Sequence, residues 1–279
     1  MSAEKAVGAS PFEALGAQVE HIKKMLDPVS IAGNSAHPVK MGIDEIAIST
    51  YMVYFLIALA LTVVIVFAAK KRMALVPKGR FVNGFEALFD FVRNNIVASA
   101  IHHDRARYVP FLATTFLFVL VNNLIGLIPG AKAGVSGTIG GTLALSLVVF
   151  VYFSYQGIRV KGGLGYIAGL VPAGLPKAVV PLIFVIEFAS VLLRPVTQSL
   201  RLFANMYAGH IVLGIFAVLT ELFFMAPFHG SGALNMVAAP IWLVLLIAMY
   251  ALEFVVALIQ AYVFTLLTAV YIESATSKH

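Results

Sequence analysis

Two apolar segments in the C-terminal half of this sequence are longer than any helix that crosses a bilayer upright. Residues 177–226 and 240–272 would measure roughly 75 and 50 Å at about 1.5 Å per helical residue, whereas the hydrocarbon layer is about 30 Å thick. The chain is 61% hydrophobic and 11% charged, whereas soluble domains are about half apolar and a quarter charged. Because continuous apolar runs favour helices over barrel strands, we predict an all-α integral membrane protein. Shorter runs, each long enough for one upright span, occupy residues 46–69, 109–128 and 138–155.

The first long segment allows two interpretations. It could form two ordinary spans that turn near Arg194–Pro195, or one long helix, kinked at Pro195, that crosses the membrane at a steep tilt. Two spans would place an arginine-containing turn on the outer side, where the sequence has no clear turn signal. We therefore expect residues 177–226 and 240–272 to form a long, strongly tilted helical hairpin.

The remaining segments complete the predicted organisation. Residues 83–101 alternate apolar and charged positions at helical spacing, which predicts an amphipathic helix on the membrane surface. Basic residues cluster at 70–107 and 159–177, so the positive-inside rule places these segments on the cytoplasmic side. Residues 1–44 are a mixed, polar extension without the apolar region of a signal peptide, and they are expected on the outer side of the membrane domain, residues 45–279.

Ionisable side chains interrupt the apolar segments, although a charge at bilayer depth costs from about 3 to more than 10 kcal/mol. With about 100° of turn per helical residue, four polar residues fall within about 40° of Arg201, and they are Glu187, Ser190, Arg194 and Asn205. His210 falls on the opposite side, and Glu221 lies within about 20° of His210. Two polar faces on one membrane helix suit two separate aqueous routes, and an arginine between them remains charged at ordinary pH.

Several classes of function are excluded or disfavoured. The chain has no cysteine, no phosphate-binding loop and no motif of a hydrolase or metalloprotease, so we expect no metal, no cofactor and no chemistry on ATP. The net charge of +6 fits membrane topology and lipid contact, and we infer no nucleic-acid partner from it. A secondary ion transporter with buried charges is the alternative, but the paired repeats of that class are absent. Arg201 could also be structural, paired with Glu187 or Glu253.

Four segments carry a more specific signal. They are residues 122–129 (NNLIGLIP), 187–195 (EFASVLLRP), 199–210 (SLRLFANMYAGH) and 258–271 (LIQAYVFTLLTAVY). In this order they resemble segments of subunit a of F-type ATP synthases, and the last two together are highly specific. The similarity covers roughly residues 45–275. It implies a proton-channel subunit with upright helices and a tilted hairpin beside a ring of c subunits.

The resemblance assigns roles to the polar residues. The family's essential arginine, at the interface with the c-ring, falls on Arg201. Asn205 and Gln260 match supporting polar positions, and Arg194 joins them, although pairing within the chain explains Arg194 as well. The half-channel through which protons leave would lie near Glu187 and Ser190.

The half-channel through which protons enter would be lined by Asn123, His210 and Glu253, to which helical phase adds Glu221. Many bacterial members of the family have the acid at the first position of the His210–Glu253 pair and the histidine at the second. This chain has the exchanged arrangement, which other members share. Gly126 stands where some members carry an acid.

The resemblance also implies partners and a location. The partners would be the c-ring, subunit b of the peripheral stalk, further ATP synthase subunits and membrane lipid. The membrane would be a bacterial plasma membrane or a mitochondrial inner membrane. Proton and sodium are both open as the coupling ion, because the site on the ring largely decides between them.

Overall fold

The computed structural model describes residues 37–39, 46–48, 50–72, 80–128, 136–169, 179–225 and 234–277. Almost all of these residues are helical, which confirms the all-α prediction. The predicted N-terminal extension lies outside the described residues, except for a single short strand. Among the described residues, five helices are long and apolar enough to cross a membrane, and they span Met52–Lys71, Arg105–Gly126, Ile139–Lys161, Val180–Glu221 and Ala239–Thr276.

A short antiparallel hairpin precedes the first membrane helix. Strand β1 (His37–Val39) pairs with β2 (Ile46–Ile48), and Val39 lies opposite Ile46. Helix α1 then covers Thr50–Arg72. The expected start of the first span at Ile46 was therefore too early. The β-branched side chains of Ile46 and Ile48 favour a strand, and apolar character alone does not separate a strand from the first turn of a helix.

The amphipathic segment forms a helix with a π-helical turn. Helix α2 (Arg80–Phe91) continues through π-helical residues Val92–Val97 into α3 (Ala98–Ala100). The apolar positions of its predicted face are buried or half-buried, and the charged positions between them are exposed; the apolar positions are Phe85, Leu88, Phe89, Val92, Ile96 and Val97. The amphipathic helix is thus confirmed, and its location on the membrane surface stays a prediction.

Two shorter apolar helices follow, and they overlap the spans predicted at residues 109–128 and 138–155. Helix α4 covers Arg105–Gly126 and α5 covers Ile139–Lys161, with Thr138 capping α5 by accepting a hydrogen bond from the Gly141 backbone at 3.2 Å. The short helix α6 (Gly163–Ala168) follows directly. Last come α7 (Val180–Met225) and α8 (Leu234–Thr276), of 46 and 43 residues.

Helix α7 is continuous through Pro195, so the alternative of two spans turning at this residue is wrong. A proline removes one backbone hydrogen bond, but membrane helices tolerate this loss because neighbouring groups satisfy the freed carbonyl. Helices of 46 and 43 residues are about 65–70 Å long. This length is about twice the hydrocarbon thickness, so the steep tilt remains our prediction for both.

The chain divides into two compact units. The first unit comprises Met1–Val53 and Ala204–Val256, and the second comprises Tyr54–Phe203 and Ala257–His279. The core of the second unit surrounds α4, with apolar side chains from the π-helical turn, α5, α7 and α8 packed against it. At Gly157, the Tyr166 ring and the Ala275 carbonyl lie where a Cβ atom would be. This glycine therefore permits close packing of α5 and α8.

Candidate functional site

The polar stripe predicted around Arg201 lies along the unbroken helix α7, whose residues up to Phe203 belong to the second unit. Because α7 has no break between Glu187 and Arg201, the helical spacing that aligns them holds. Arg201 and Ser190 are exposed, and Glu187 and Arg194 are half-buried. Arg201 and Ser190 therefore face away from the core of this unit.

Arg201 is not paired with the nearest acid of its own helix. Among the described residues, the single ion pair joins the His102 ring and the Glu273 carboxylate, at 3.3 Å. The His102 backbone N–H also donates to Glu273, at 3.3 Å. The structural pairing of Arg201 with Glu187 is therefore not observed, and the guanidinium stays exposed on an apolar helix.

Arg194, by contrast, is engaged within the second unit. Its guanidinium carbon lies 5.1 Å from the centre of the Tyr271 ring. Its two terminal nitrogens donate to the Ser274 hydroxyl at 3.4 and 3.5 Å. A cation over an aromatic ring is stabilised by the ring's quadrupole. These contacts support a structural role that joins α7 to α8.

In the first unit, the predicted acid is buried and the predicted imidazole is partly buried. Glu253 is 6% exposed, and His210 is half-buried. The Nε2 atom of His210 is buried and has no hydrogen-bond partner among the described residues. Gly209, the residue before His210, lies directly against the Glu253 carboxyl group, and a Cβ atom at position 209 would overlap it. Gly209 therefore brings the His210 region of α7 against Glu253 of α8.

Glu221 lies elsewhere on the first unit. It is exposed, one residue after Thr220, whose hydroxyl donates to the Phe216 carbonyl at 2.7 Å and the Trp242 carbonyl at 3.2 Å. Thr220 thus faces α8 while Glu221 points outward. The described contacts do not join Glu221 to His210, so its part in the inlet half-channel rests on helical phase alone.

The amide side chains predicted from the sequence are largely enclosed. Asn123, in the second unit, is fully buried, and its Nδ2 donates to the Ala257 carbonyl at 3.3 Å. Its Oδ1 is buried without a hydrogen-bond partner in the described part of the chain. Gln260 is 6% exposed and Asn205 is half-buried, and both interact with neighbouring groups.

Two polar contacts of the second unit were missed from the sequence. Gln198 is 2% exposed, and its Nε2 donates to the Phe264 carbonyl at 3.0 Å and to the Thr268 hydroxyl at 3.1 Å. Ser199 meets Thr142 of α5, with their hydroxyl oxygens 3.2 Å apart. The sequence does contain a signal for Gln198. This residue lies about 60° from Arg201 on the helix, at the edge of the polar stripe.

The fold and these side chains define a class of protein. Ionisable groups on long apolar helices are costly and mark ion pathways in membrane proteins. Here they include the exposed Arg201 in the second unit, and a buried acid and a half-buried imidazole in the first. The chain is thus an integral membrane protein of the ion-translocating class.

Comparison with known proteins identifies the family. The sequence matches the family described as "ATP synthase A chain" over residues 51–273. "ATP synthase subunit a" of Nitrobacter hamburgensis is 39% identical over 235 residues, which cover 84% of this chain and 91% of that protein. The protein of the same name from Bradyrhizobium diazoefficiens is 38% identical over 251 residues, covering 90% and 94%. That from Parvibaculum lavamentivorans is 34% identical over 273 residues, covering 98% and 96%.

The chain therefore belongs to the ATP synthase A chain family, the membrane-sector proton-channel subunits of F-type ATP synthases. This family confirms the resemblance read from the four segments and decides against the secondary transporter. With bacterial relatives and several apolar helices, the chain is an integral protein of the bacterial plasma membrane. Its partners are other subunits of the ATP synthase.

Proposed function

We propose that Arg201 is the permanent charge that faces the c-ring and separates two half-channels. The observation that carries this proposal is an exposed guanidinium on the polar stripe of an apolar helix. Because an uncovered charge is expensive in lipid, another protein surface or water must cover this stripe. An arginine attracts a ring carboxylate but does not release its own proton, so it blocks direct leakage.

The two sides of Arg201 then serve opposite steps. Protons enter from the outer side along Asn123, His210, Glu253 and Glu221 and protonate a carboxylate on a c subunit. The neutral carboxyl can pass through lipid at low cost, whereas the charged form cannot. After rotation, the next carboxyl releases its proton to the inner side near Glu187 and Ser190. Asn205 and Gln260 support this interface, and Arg194 holds α7 against α8 through Tyr271 and Ser274.

His210 and Glu253 are suited to the inlet step. A buried polar atom without a protein partner costs about 1–3 kcal/mol, and the His210 Nε2 atom is in this state among the described residues. Such a nitrogen suits a group that exchanges a proton or binds water. The enclosed Glu253 carboxyl supplies a second titratable group on the neighbouring helix.

The direct partners in this proposal are the c-ring and subunit b of the peripheral stalk. The chain itself performs no chemistry on ATP, since its sequence has no phosphate-binding loop. ATP would be made by other subunits, which rotation of the ring drives.

The test is ATP-driven proton pumping in membrane vesicles that contain the whole complex, with wild type compared with Arg201→Ala. We expect pumping to be abolished while the complex still assembles, because Arg201 makes no ion pair within the described chain. Arg201→Lys should also fail largely, since an ammonium is less delocalised than a guanidinium and can lose its proton once the c-ring covers it.

Arg194→Lys is the matched control. It keeps the charge and can still lie over the Tyr271 ring, so pumping should largely persist. Undiminished pumping by an assembled Arg201→Ala complex would make Arg201 structural and would refute the proposed gate.

A further inference from the structure

Two consecutive buried residues tie α7 to two different helices immediately before Arg201. The Ser199 side chain is 1% exposed, and its hydroxyl oxygen lies 3.2 Å from the hydroxyl oxygen of Thr142 on α5. The neighbouring Gln198 donates to the Phe264 carbonyl of α8 at 3.0 Å. All of these residues belong to the second unit. Helix α7 is therefore held from two sides next to its exposed arginine.

The Thr142 hydroxyl is the acceptor in its contact with Ser199. A hydroxyl group has one proton to donate, and that of Thr142 is directed to the carbonyls of Thr138 and Ile139, at 3.2 and 3.1 Å. The proton between the two hydroxyls therefore comes from Ser199. Because Thr138 also caps α5, Ser199 donates to a well-fixed point at the start of this helix.

The angular position of Ser199 connects this hydrogen bond to the direction of Arg201. With about 100° of turn per residue, Ser199 lies about 160° from Arg201, and Gln198 lies about 60° from it. A single contact lets a helix pivot, whereas two contacts in directions about 100° apart fix its rotation about its own axis. Held in this way, α7 directs Ser199 into the unit and Arg201 out of it.

We propose that Ser199 is a positioning residue, whose hydrogen bond to Thr142 acts with the Gln198 contacts to set the direction of the Arg201 guanidinium. This inference rests on the proposed role of Arg201 at the c-ring. Side chains extend about 5–6 Å from a helix axis, so a rotation of α7 by about 20° would move the guanidinium by about 2 Å. Functional groups have to be held within about 0.5 Å of their working position, so this rotation would impair the contact with a ring carboxylate.

A double-mutant cycle in the intact complex tests the hydrogen bond. Ser199→Ala removes the donor, and Thr142→Val removes the acceptor at nearly constant volume. The measured quantity is ATP-driven proton pumping in vesicles, divided by the rate of ATP hydrolysis. It should fall roughly threefold to tenfold in each variant, the range for one hydrogen bond between membrane helices. The double variant should fall no further, because both changes remove the same contact.

Thr265→Val is the matched control. Thr265 is as buried as Thr142, but its hydroxyl donates to the Ala261 carbonyl of its own helix, so the ratio of pumping to hydrolysis should stay at the wild-type value. The exchange Ser199→Thr/Thr142→Ser keeps both hydroxyls and the total volume, and it should recover most of the pumping. Losses that multiply in the double variant of the cycle would show that the two residues act separately and would refute the proposal.

Spin labels measure the rotation of α7 directly and independently of Arg201. Since the chain has no cysteine, labels can be attached at Leu192→Cys on α7 and Val148→Cys on α5, in a complex whose other subunits lack reactive cysteines. Both positions are exposed, and Leu192 lies about 180° from the arginine. The distribution of distances between the labels should shift or broaden by about 2 Å or more in Ser199→Ala and Thr142→Val, but not in Thr265→Val.

The distance measurement separates failure of this proposal from failure of the proposed function. An unchanged distribution in Ser199→Ala and Thr142→Val would overturn the positioning role, whatever their pumping. A changed distribution with wild-type pumping would overturn it as well, since α7 could then rotate without loss of function. If Arg201→Ala also pumped fully, the proposed role of Arg201 would have failed too.

Discussion

At the scale of single residues, the acid and the imidazole of the first unit depend on a glycine. Glu253 is buried because α7 approaches α8 closely at Gly209, where the Glu253 carboxyl occupies the space of a side chain. His210 follows immediately and keeps a buried ring nitrogen. Any side chain at position 209 would therefore move the carboxyl that we assign to the inlet half-channel.

Exchange of the acid and the imidazole tests whether they act as a pair. His210→Glu places two acids in the same region, and Glu253→His places two imidazoles there. Like groups disfavour each other's charged form, so each single variant should lose most ATP-driven proton pumping. The double variant His210→Glu/Glu253→His keeps one acid and one imidazole and should pump several-fold better than either single variant. A double variant no better than the single ones would show that the residues act separately.

Gly209→Ala should reduce pumping by the assembled complex, because the added methyl group meets the Glu253 carboxyl. Extra volume at a tightly packed site costs about 1–3 kcal/mol, although alanine is otherwise the better helix former. Glu253→Asp in the same chain withdraws the carboxyl and should restore part of the loss. Gly140→Ala is the control, since among the described residues no atom lies within 4 Å of its added Cβ. Wild-type pumping by Gly209→Ala would contradict the packing argument.

At the scale of elements, α7 and α8 are antiparallel within each unit. In the second unit, Gln198 bonds to Phe264 and Thr268, and Arg194 bonds to Ser274. In the first unit, Thr220 bonds to the Trp242 carbonyl. Hydrogen bonds between membrane helices contribute about 0.6–2 kcal/mol each. Lipid tails contact an apolar helix surface as well as a neighbouring helix does, so these hydrogen bonds help to specify which helix surfaces pack together.

Gln198→Ala should loosen α7 from α8 in the second unit. The variant removes two hydrogen bonds and leaves a cavity, so the expected loss of stability is about 1–3 kcal/mol. The measurement is the rate of thermal inactivation of the detergent-solubilised complex. Thr197→Ala is the matched control, since among the described residues the Thr197 hydroxyl donates to the Leu193 and Arg194 carbonyls of its own helix and to no other group. Equal inactivation rates for the two variants would mean that the Gln198 contacts are dispensable.

At the scale of the whole molecule, part of the polar stripe lies on a surface that the described chain does not cover. Arg201 and Ser190 are exposed on a helix whose surrounding surface is apolar, including Leu193 at 55% and Leu200 at 45% exposure. Such a surface suits a protein that works in an assembly, in agreement with its family. A secondary transporter, in contrast, would complete its pathway within one chain.

The purified chain alone should therefore not drive coupled proton transport. We expect vesicles that contain only this subunit to show no ATP-driven acidification, and vesicles with the reassembled complex to show it. The assay is quenching of a pH-sensitive dye, with the Arg201→Ala complex as the negative control. Ion-coupled solute uptake by the isolated chain would favour the transporter after all.

Much of the architecture follows from local pattern. The helices α4 and α5, the amphipathic helix and the two long helices overlap the segments predicted for them, with ends that differ by up to six residues. The start of α1 was predicted too early, because Ile46 and Ile48 are compatible with a strand as well as with a membrane helix. The hydrogen bonds of Gln198 and Ser199 were missed because their partners, Phe264 and Thr142, are distant in the sequence.

The sequence by itself determined that the chain folds in a membrane, that it is helical, which family it belongs to, and which polar residues align with Arg201. These depend on composition, local period and short motifs, which are properties of neighbouring residues. Only the tertiary structure decided that α7 continues through Pro195, that Arg194 lies over Tyr271 and that Gly209 receives the Glu253 carboxyl. Tertiary contacts in this chain join positions up to 171 residues apart, and they depend on how closely two helices approach, which no local pattern encodes.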